Sequence, residues 1–420
     1  MLSSSENGNV NMRKKEYMYI GMDIHKETHT AVLMNYMEER IGEIKIKNNI
    51  SGFKRLFAYV TKLRKELVPI YGLEDVTHYG RNLTIHLLEQ DCAVKEVNSA
   101  LSYMERMSYA TTKKNDTWDA QCICSVLIRR HEILPDAKPQ DYYWTMRYLV
   151  NRRDALVKAT TKLIQQFHDQ IQNVYPSYKG FFHEIECPTA LVFYEEYLSP
   201  SHLKNVTDED LAEVLRIPSR NTCSIKHANE ILELVEKDAV KEREYQSARD
   251  GVIQSMVRTI RFNREEMKRI EKIEVKMLKE LNYKLETMTG VSTVTASALV
   301  AQIGDIKRYK SADKLASFAG VAPIYQGSAG KGKEYQNKSL GNRELYSILY
   351  LLAMQQIQVN AKGEARNPEM RAYFEYKVSK GKTKIQALIC IMRRLVRIIY
   401  AMMKYKTAYE MKEIKEQMIS

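Results

Sequence analysis

The sequence predicts an α/β domain at the N-terminus, a long helical middle and a mainly α-helical C-terminal domain. Three observations carry this. Between residues 17 and 97, short β-branched or alternating runs are interleaved with amphipathic helical stretches. From Thr207 to about Met288, apolar residues recur three or four apart in a strongly charged background. From Gly290 to Ser420 there are 22 Lys and Arg against 10 Asp and Glu, so this segment carries +12 of the chain's net +13. A chain of 420 residues can bury a large core and is expected to form two or three domains.

Residues 1–16 are polar, lack an apolar signal core and read as a disordered lead. Residues 17–23 (Tyr-Met-Tyr-Ile-Gly-Met-Asp) read as a buried strand. Residues 28–35 and 41–47 have the character of two further strands, most simply a meander with the first. Ser51 is expected to cap a helix running to about Leu67, with Phe53, Leu56, Phe57, Val60 and Leu63 on one face; Pro69 then breaks it. Ile70 to Glu74 reads as a short strand, 81–90 as a helix and 92–97 as another strand. This order of three strands, helix, strand, helix, strand and helix is that of a ribonuclease-H-like α/β domain. In that fold acids from the first and fourth strands and from a late helix meet at one edge.

Residues 141–175 look helical, and Pro176 and Pro188 mark a looser junction. Ile231, Leu234, Val235 and Val240, then Met256, Ile260, Met267, Ile270, Ile273, Met277 and Leu281, give the spacing of two long helices folded back as a coiled-coil hairpin, usable as a dimer arm. Thr289 to Ala296 reads as a helix end, a glycine turn and a new helix. Such a helix-hairpin-helix element can hold a backbone phosphate. A Gly-rich stretch follows at 326–333, then a turn at Leu340-Gly341-Asn342, a helix from Arg343 to about Gln358 and a basic helix pair over roughly 367–403.

Four acids stand out: Asp23 and Glu74 at strand ends, and Asp116 with Asp119 opening a helix. Asp116 and Asp119 are three apart and share a helix face, where a bare pair repels. One or two bound Mg²⁺ ions remove that penalty. They also activate an attacking oxygen and steady a leaving oxygen in displacement at phosphorus. Asp75 is a possible substitute for Glu74, although alternation after Leu73 can face it away. Ser328 sits between glycines, with Gln326 upstream and Lys331 and Lys333 downstream, and Lys338 and Arg343 extend the basic run. Glycines admit a phosphate closely and lysines stabilise its charge, so this serine can act as a nucleophile. An ordinary Gly-Ser loop is the alternative, and Ser339 is a rival that looks more like a helix-entry residue.

A tyrosine recombinase is disfavoured. It needs an Arg/His set near its tyrosine, and the last histidine, His227, precedes the basic third. No P-loop or dinucleotide glycine pattern occurs. The six cysteines lack a paired framework or zinc spacing and read as reduced thiols in a cytoplasmic protein. No apolar run approaches the roughly 20 residues that span a bilayer.

Taken together, the chain resembles an IS110-family transposase, a DEDD-type recombinase, over nearly its whole length after residue 16. Gly21-Met22-Asp23-Ile24-His25-Lys26 is similar to the family's opening motif. Glu74 with Thr77 and Tyr79-Gly80 is similar to its second, and Lys114-Asn115-Asp116-Thr117-Trp118-Asp119-Ala120 to its third. The C-terminal resemblance runs from Gly290-Val291 through Phe318-Ala319-Gly320-Val321-Ala322-Pro323 to Gly341-Asn342. It implies a RuvC-like catalytic domain at 17–150, a helical region at 151–285, a transposase domain at 286–408 and a tail at 409–420. It further implies that Asp23, Glu74, Asp116 and Asp119 bind Mg²⁺ and that Ser328 attacks DNA phosphorus. A composite site between subunits of a dimer or tetramer, and a structured bridge RNA that guides donor and target DNA, are also implied. This chain has Gly327-Ser328-Ala329-Gly330 where the family more commonly has a Ser-Gly pair. The expected function is therefore transposition by metal-assisted serine attack. A Holliday-junction nuclease using metal-activated water and a non-catalytic RNA-binding scaffold are the alternatives.

Overall fold

The computed structural model describes residues 14–75, 79–110, 115–137, 139, 141–322, 324–328, 331–335 and 341–411. The chain divides into two compact units, Met1–Trp144 and Thr145–Ser420. Lys14–Glu16, the last three residues before the first strand, form a short 3-10 turn.

The first unit is built on a five-stranded sheet: β1 (Tyr17–Ile24), β2 (Thr28–Met34), β3 (Arg40–Lys47), β4 (Val68–Glu74) and β5 (Ala93–Glu96). Their order is β3-β2-β1-β4-β5. β1–β2 and β2–β3 pair antiparallel, whereas β1–β4 and β4–β5 are parallel. Central β1 is buried on both faces, which is why it reads as a nearly continuous apolar run. Met18, Ile20 and Met22 pack with Phe53, Leu56 and Val60 of α1 (Ile50–Leu63) and with Leu83 and Leu87 of α2 (Arg81–Glu89). Tyr19, with Ile70 of β4, packs on the opposite face with Ile123 and Leu127 of α4 (Asp116–Arg130). A further helix, α3 (Ser99–Met107), precedes α4.

Two local expectations change. Asn49, not Ser51, caps α1, its side chain accepting from the amide of Gly52. Gly52 is fixed by space, since a Cβ there would lie 2.0 Å from the Lys47 carbonyl oxygen. α1 ends at Leu63 with Arg64 as its C-cap, and Pro69 stands inside β4, opposite Met18. Helix α3 was not legible; the residues it buries are Ser102 and Glu105, while Met104 and Met107 are exposed, and the capping Asn98 marks its start.

The second unit is almost wholly helical. It comprises most of α5 (Asp141–Val174), then α6 (Pro188–Glu196), α7 (Asp208–Arg216), α8 (Ile225–Asp238), α9 (Gln246–Leu281), α10 (Thr293–Ile303) and α11 (Ala312–Phe318). A hairpin of β6 (Ile324–Ser328) and β7 (Lys331–Tyr335) precedes α12 (Arg343–Ile357), α13 (Pro368–Ser379) and α14 (Lys384–Tyr405). The expected pair of long helices within 207–288 is not formed. α7 and α8 are short and pack on each other. The long neighbour of α9 is α5, tied to it by Arg153–Glu271 at 2.8 Å and by Asn263 Nδ2 donating to Thr160 Oγ1 at 3.1 Å, so the two run antiparallel. The stretch between Pro176 and Pro188 is not loose either. Tyr175, Tyr178 and Phe181 are buried there with Phe167, Phe193 and Tyr194 in an aromatic cluster between α5, α6 and α9. Burial of large rings fixes this connection despite its prolines.

Candidate active site

Side chains alternate across a strand, so Tyr19, Gly21 and Asp23 share the α4 face of β1, as Ile70, Gly72 and Glu74 do on β4. Register then aligns the acids. Asp23 is paired with Glu74 on one side and with Thr30 on the other, and Thr30 with Lys45. Lys45, Thr30, Asp23 and Glu74 thus form one row across four strands at the end of the sheet. Gly21 lets α4 approach, because a Cβ there would lie 2.3 Å from the Ala120 carbonyl oxygen and 2.4 Å from the Cys124 nitrogen. Asn115 caps α4 by accepting from the Trp118 amide, so the first turn, carrying Asp116 and Asp119, is presented to that row. Asp75 faces elsewhere; its Oδ2 accepts from the Gly80 amide.

The structure therefore gathers Asp23, Glu74, Asp116 and Asp119, in two halves bridged by cationic or polar groups. In one half, His25 Nε2 lies 3.1 Å from Asp23 Oδ2 and 3.6 Å from Asp116 Oδ1, and Lys45 Nζ lies 2.8 Å from Asp116 Oδ2. In the other, Arg106 reaches Asp119 Oδ1 at 3.3 Å and Glu74 Oε2 at 4.0 Å, and the Ser102 hydroxyl donates to Glu74. Ser102 and Arg106 are one helical turn apart on α3. Arg129 Nη1 of α4 holds Glu105 of the same helix at 2.8 Å, docking α3 against α4. Lys45, Ser102 and Arg106 were missed as site residues. Alternation along β3 was the available signal for Lys45.

Burial is the main cause that raises Asp23 above the usual carboxylate range. His25 opposes it, and Asp119, Asp116 and Glu74 raise it further. Asp116 is held low, chiefly by its hydrogen bond from Lys45. Asp23 Oδ2 is buried without a hydrogen-bond partner among the described residues, its contact with His25 lacking hydrogen-bond alignment. An orphaned carboxylate oxygen among three further carboxylates is a donor set that fits a hard divalent cation. One ligand atom each of Asp23, His25 and Asp116 already lie within 4.8 Å of one another.

In the second unit, Ser328 is the last residue of β6, in register with Lys331, and Gln326 is in register with Lys333. Much of the expected glycine-rich loop is thus paired strand, with Ser328 and Lys331 the last pair of the register. Elsewhere in this unit Gly341 packs closely on Gly320: a Cβ on Gly341 would lie 2.4 Å from Gly320 Cα. Asn342 donates from its backbone to the Phe318 carbonyl at 2.7 Å and from its side chain to Gln302 at 3.1 Å. Arg343 opens α12 and is exposed. Lys338 and Ser339 lie outside the described residues, as do Thr77, His78 and Lys114.

Residues 20–176, from β1 to the end of α5, match a family model of DEDD transposases of the IS110 type, described as "Transposase". Residues 282–375, which include the hairpin, match the "Transposase IS116/IS110/IS902 family". An α/β unit with clustered acids followed by a helical unit of this kind defines the class: the protein is a DNA transposase, a recombinase-type enzyme. The chain belongs to the IS110 family. Over 94% of its length it is 25% identical to the insertion element IS116 44.8 kDa protein of Streptomyces clavuligerus, covering 97% of that protein. Over 93% it is 23% identical to the insertion element IS900 42 kDa protein of Mycobacterium paratuberculosis, again covering 97%. It is 33% identical to the pilin gene-inverting protein of Moraxella lacunata over 31% of this chain and 40% of that one. The family implies dependence on a divalent metal. Among the described residues no helix is long and apolar enough to cross a membrane.

Proposed function

We propose that the chain excises and inserts its own mobile element, with Asp23, Glu74, Asp116 and Asp119 holding Mg²⁺ and Ser328 as nucleophile. The single observation that carries this reading is the cross-strand row with the first turn of α4, which brings four carboxylates to one end of the sheet. The strand order β3-β2-β1-β4-β5, with β2 antiparallel to its neighbours, supports a RuvC-like scaffold. The turn at Gly290 (φ +82°), followed by α10 capped by Ser292, supports a helix-hairpin-helix contact with DNA.

Bound Mg²⁺ supplies Lewis-acid polarisation of a phosphodiester oxygen. The protein's groups do the rest. Ser328 Oγ forms a bond to phosphorus, the bond to the 3′ oxygen breaks, and that oxygen leaves as a 3′ hydroxyl carrying the proton the serine gives up. The reverse attack, by a 3′ hydroxyl of a new partner strand, reseals the DNA and frees the serine. Gln326, Lys331, Lys333, Lys338 and Arg343 hold phosphates around the serine. A structured guide RNA selects donor and target, and subunits associate as a dimer or tetramer through the helical region.

The test is a denaturation-resistant protein–DNA adduct formed with Mg²⁺, element-derived RNA and donor DNA. Ser328→Ala removes the adduct while DNA and RNA binding remain, and Asp23→Asn lowers its rate about 100- to 1,000-fold, the scale of losing a transition-state charge stabiliser. Cleavage by Ser328→Ala at the normal rate would instead identify a water-using nuclease.

A further inference from the structure

The basic helix pair at the C-terminal end has a feature that its charge count does not convey. On α13, cations and rings alternate. Arg394, from α14, lies 4.9 Å from the centroid of Tyr373, Lys377 lies 5.0 Å from Tyr373 and 5.2 Å from Tyr376, and Lys380 lies 5.4 Å from Tyr376. All four contacts lie within the roughly 6 Å reach of a cation over a ring face. Only Met370 of α13 is buried, so Tyr373 and Tyr376 stay half-exposed along a helix with no apolar side.

The adjoining turn is both charged and fixed in shape. Gly381 takes φ +84°, and the amides of Lys380 and Lys382 return to the carbonyls of Tyr376 and Lys377 at 3.1 and 3.2 Å. Thr383 and Gln386 then close a capping box on α14. Lys380, Lys382 and Lys384 therefore project from a rigid exposed corner. No carboxylate pairs with these three or with Lys377 among the described residues: the neighbouring Glu375 is held by Arg371 at 2.6 Å, and Glu369 by Arg394.

We propose that this corner is a platform for unpaired DNA, with bases stacking on Tyr373 and Tyr376 and phosphates running along Lys377, Lys380, Lys382 and Lys384. Ring faces are sequence-tolerant stacking surfaces, and interleaved lysines track a flexible backbone better than the fixed phosphate spacing of a duplex. Lysines lying on the rings are long enough to turn to phosphates when bases take their place. The choice of DNA rests on the strand-exchange reading above, because rejoining new partners requires strands that are transiently unpaired.

Fluorescence anisotropy of the full chain on labelled oligo(dT), on a duplex of equal length and on oligo(rU) tests this. The double change Tyr373→Leu with Tyr376→Leu weakens oligo(dT) binding at least about fivefold and leaves the duplex unchanged, while the double Phe variant binds as the unaltered chain does. The triple change Lys377→Gln, Lys380→Gln, Lys382→Gln flattens the log K against log salt slope on oligo(dT) by about 2. Equal losses on duplex and oligo(dT), no loss in the Leu variant, or a platform selective for oligo(rU) each overturn the proposal. If the Leu variant does not fold, an unchanged salt slope in the lysine variant overturns it by itself. Adduct formation is read in parallel. Normal adducts without the oligo(dT) contrast sink the platform alone, whereas an unaltered chain that forms no adducts sinks the recombination reading and leaves the contrast standing.

Discussion

Arg106 is the residue on which the metal-free balance of the site turns. Its guanidinium lies between Glu74 and Asp119, whose side chains are 14% and 13% exposed. Partly buried carboxylates lose much of their screening, so an interposed cation offsets their repulsion. A divalent ion bound to the same acids competes for that role. Arg106→Gln is therefore expected to cost about 2 kcal/mol of stability in chelator, within the range for breaking a partly buried charge pair, and much less with Mg²⁺ present. Urea unfolding in both buffers decides it; an equal deficit in the two shows that Arg106 is only a packing residue. Gly21 is the other pivotal position. Its Cβ position is occupied by the backbone of α4, which cannot yield as a side-chain tip can. Gly21→Ala should cost about 3 kcal/mol, the upper end for overpacking, and should lose adduct formation along with it because α4 carries two of the acids away from β1. Chemical denaturation and the adduct assay on the same preparation check both parts.

At the scale of elements, the legible part of the molecule was what period and neighbours encode. Alternation in Tyr19-Ile20-Gly21-Met22-Asp23 and the i, i+3 spacing of Asp116 and Asp119 contain the geometry of the acids directly. What failed was pairing at a distance. The apolar stripe of α9 says that this helix has a buried face, not that its partner is α5 rather than α8. Helix α3 is short and is held by Arg129 from α4, a contact that no local pattern announces. Between α9 and α10 lies another group that the sequence hides among many glutamates. Glu274 is fully buried, with the Ser297 hydroxyl of α10 as its polar neighbour. Burial pushes its carboxyl up to about 7; Ser297 and Arg153 pull it down, and Glu271 and Asp154 add to the rise. The folded pKa lies above the unfolded value of 4.5, so the folded state binds the proton more tightly. Its contribution is fully present below about pH 4.5 and is lost as pH rises through about 7. The loss approaches about 3 kcal/mol at alkaline pH. Glu274→Gln, permanently neutral, should thus raise the melting temperature at pH 8 and leave it nearly unchanged at pH 5. A variant equally shifted at both values would show that the carboxyl is not protonated in the folded state.

Over the whole molecule, charge and chemistry are divided between segments. Residues 1–144 hold 20 Lys and Arg against 19 Asp and Glu, so the acid-bearing unit is nearly neutral, whereas Gly290 to Ser420 carries +12. A near-neutral unit can concentrate carboxylates around a cation without a strong general field, while the basic end supplies the salt-dependent grip on phosphates. Stability should be divided in the same way. Each unit has its own buried cores, and the site acids all belong to the first. On the proposed reading Mg²⁺ binds the folded site and not the unfolded chain, so at about 100 times its dissociation constant it would stabilise that unit by about 2.7 kcal/mol. For a unit of this size that moves its transition upward by several degrees. Scanning calorimetry with and without Mg²⁺ is expected to show one transition that shifts and one that does not. Asp23→Asn, which exchanges a buried carboxylate oxygen for an amide and removes a negative charge, should abolish the shift while leaving the second transition where it was. Movement of both transitions together would place the bound cation outside the acid row, and a shift that survives in Asp23→Asn would remove that residue from the set of ligands.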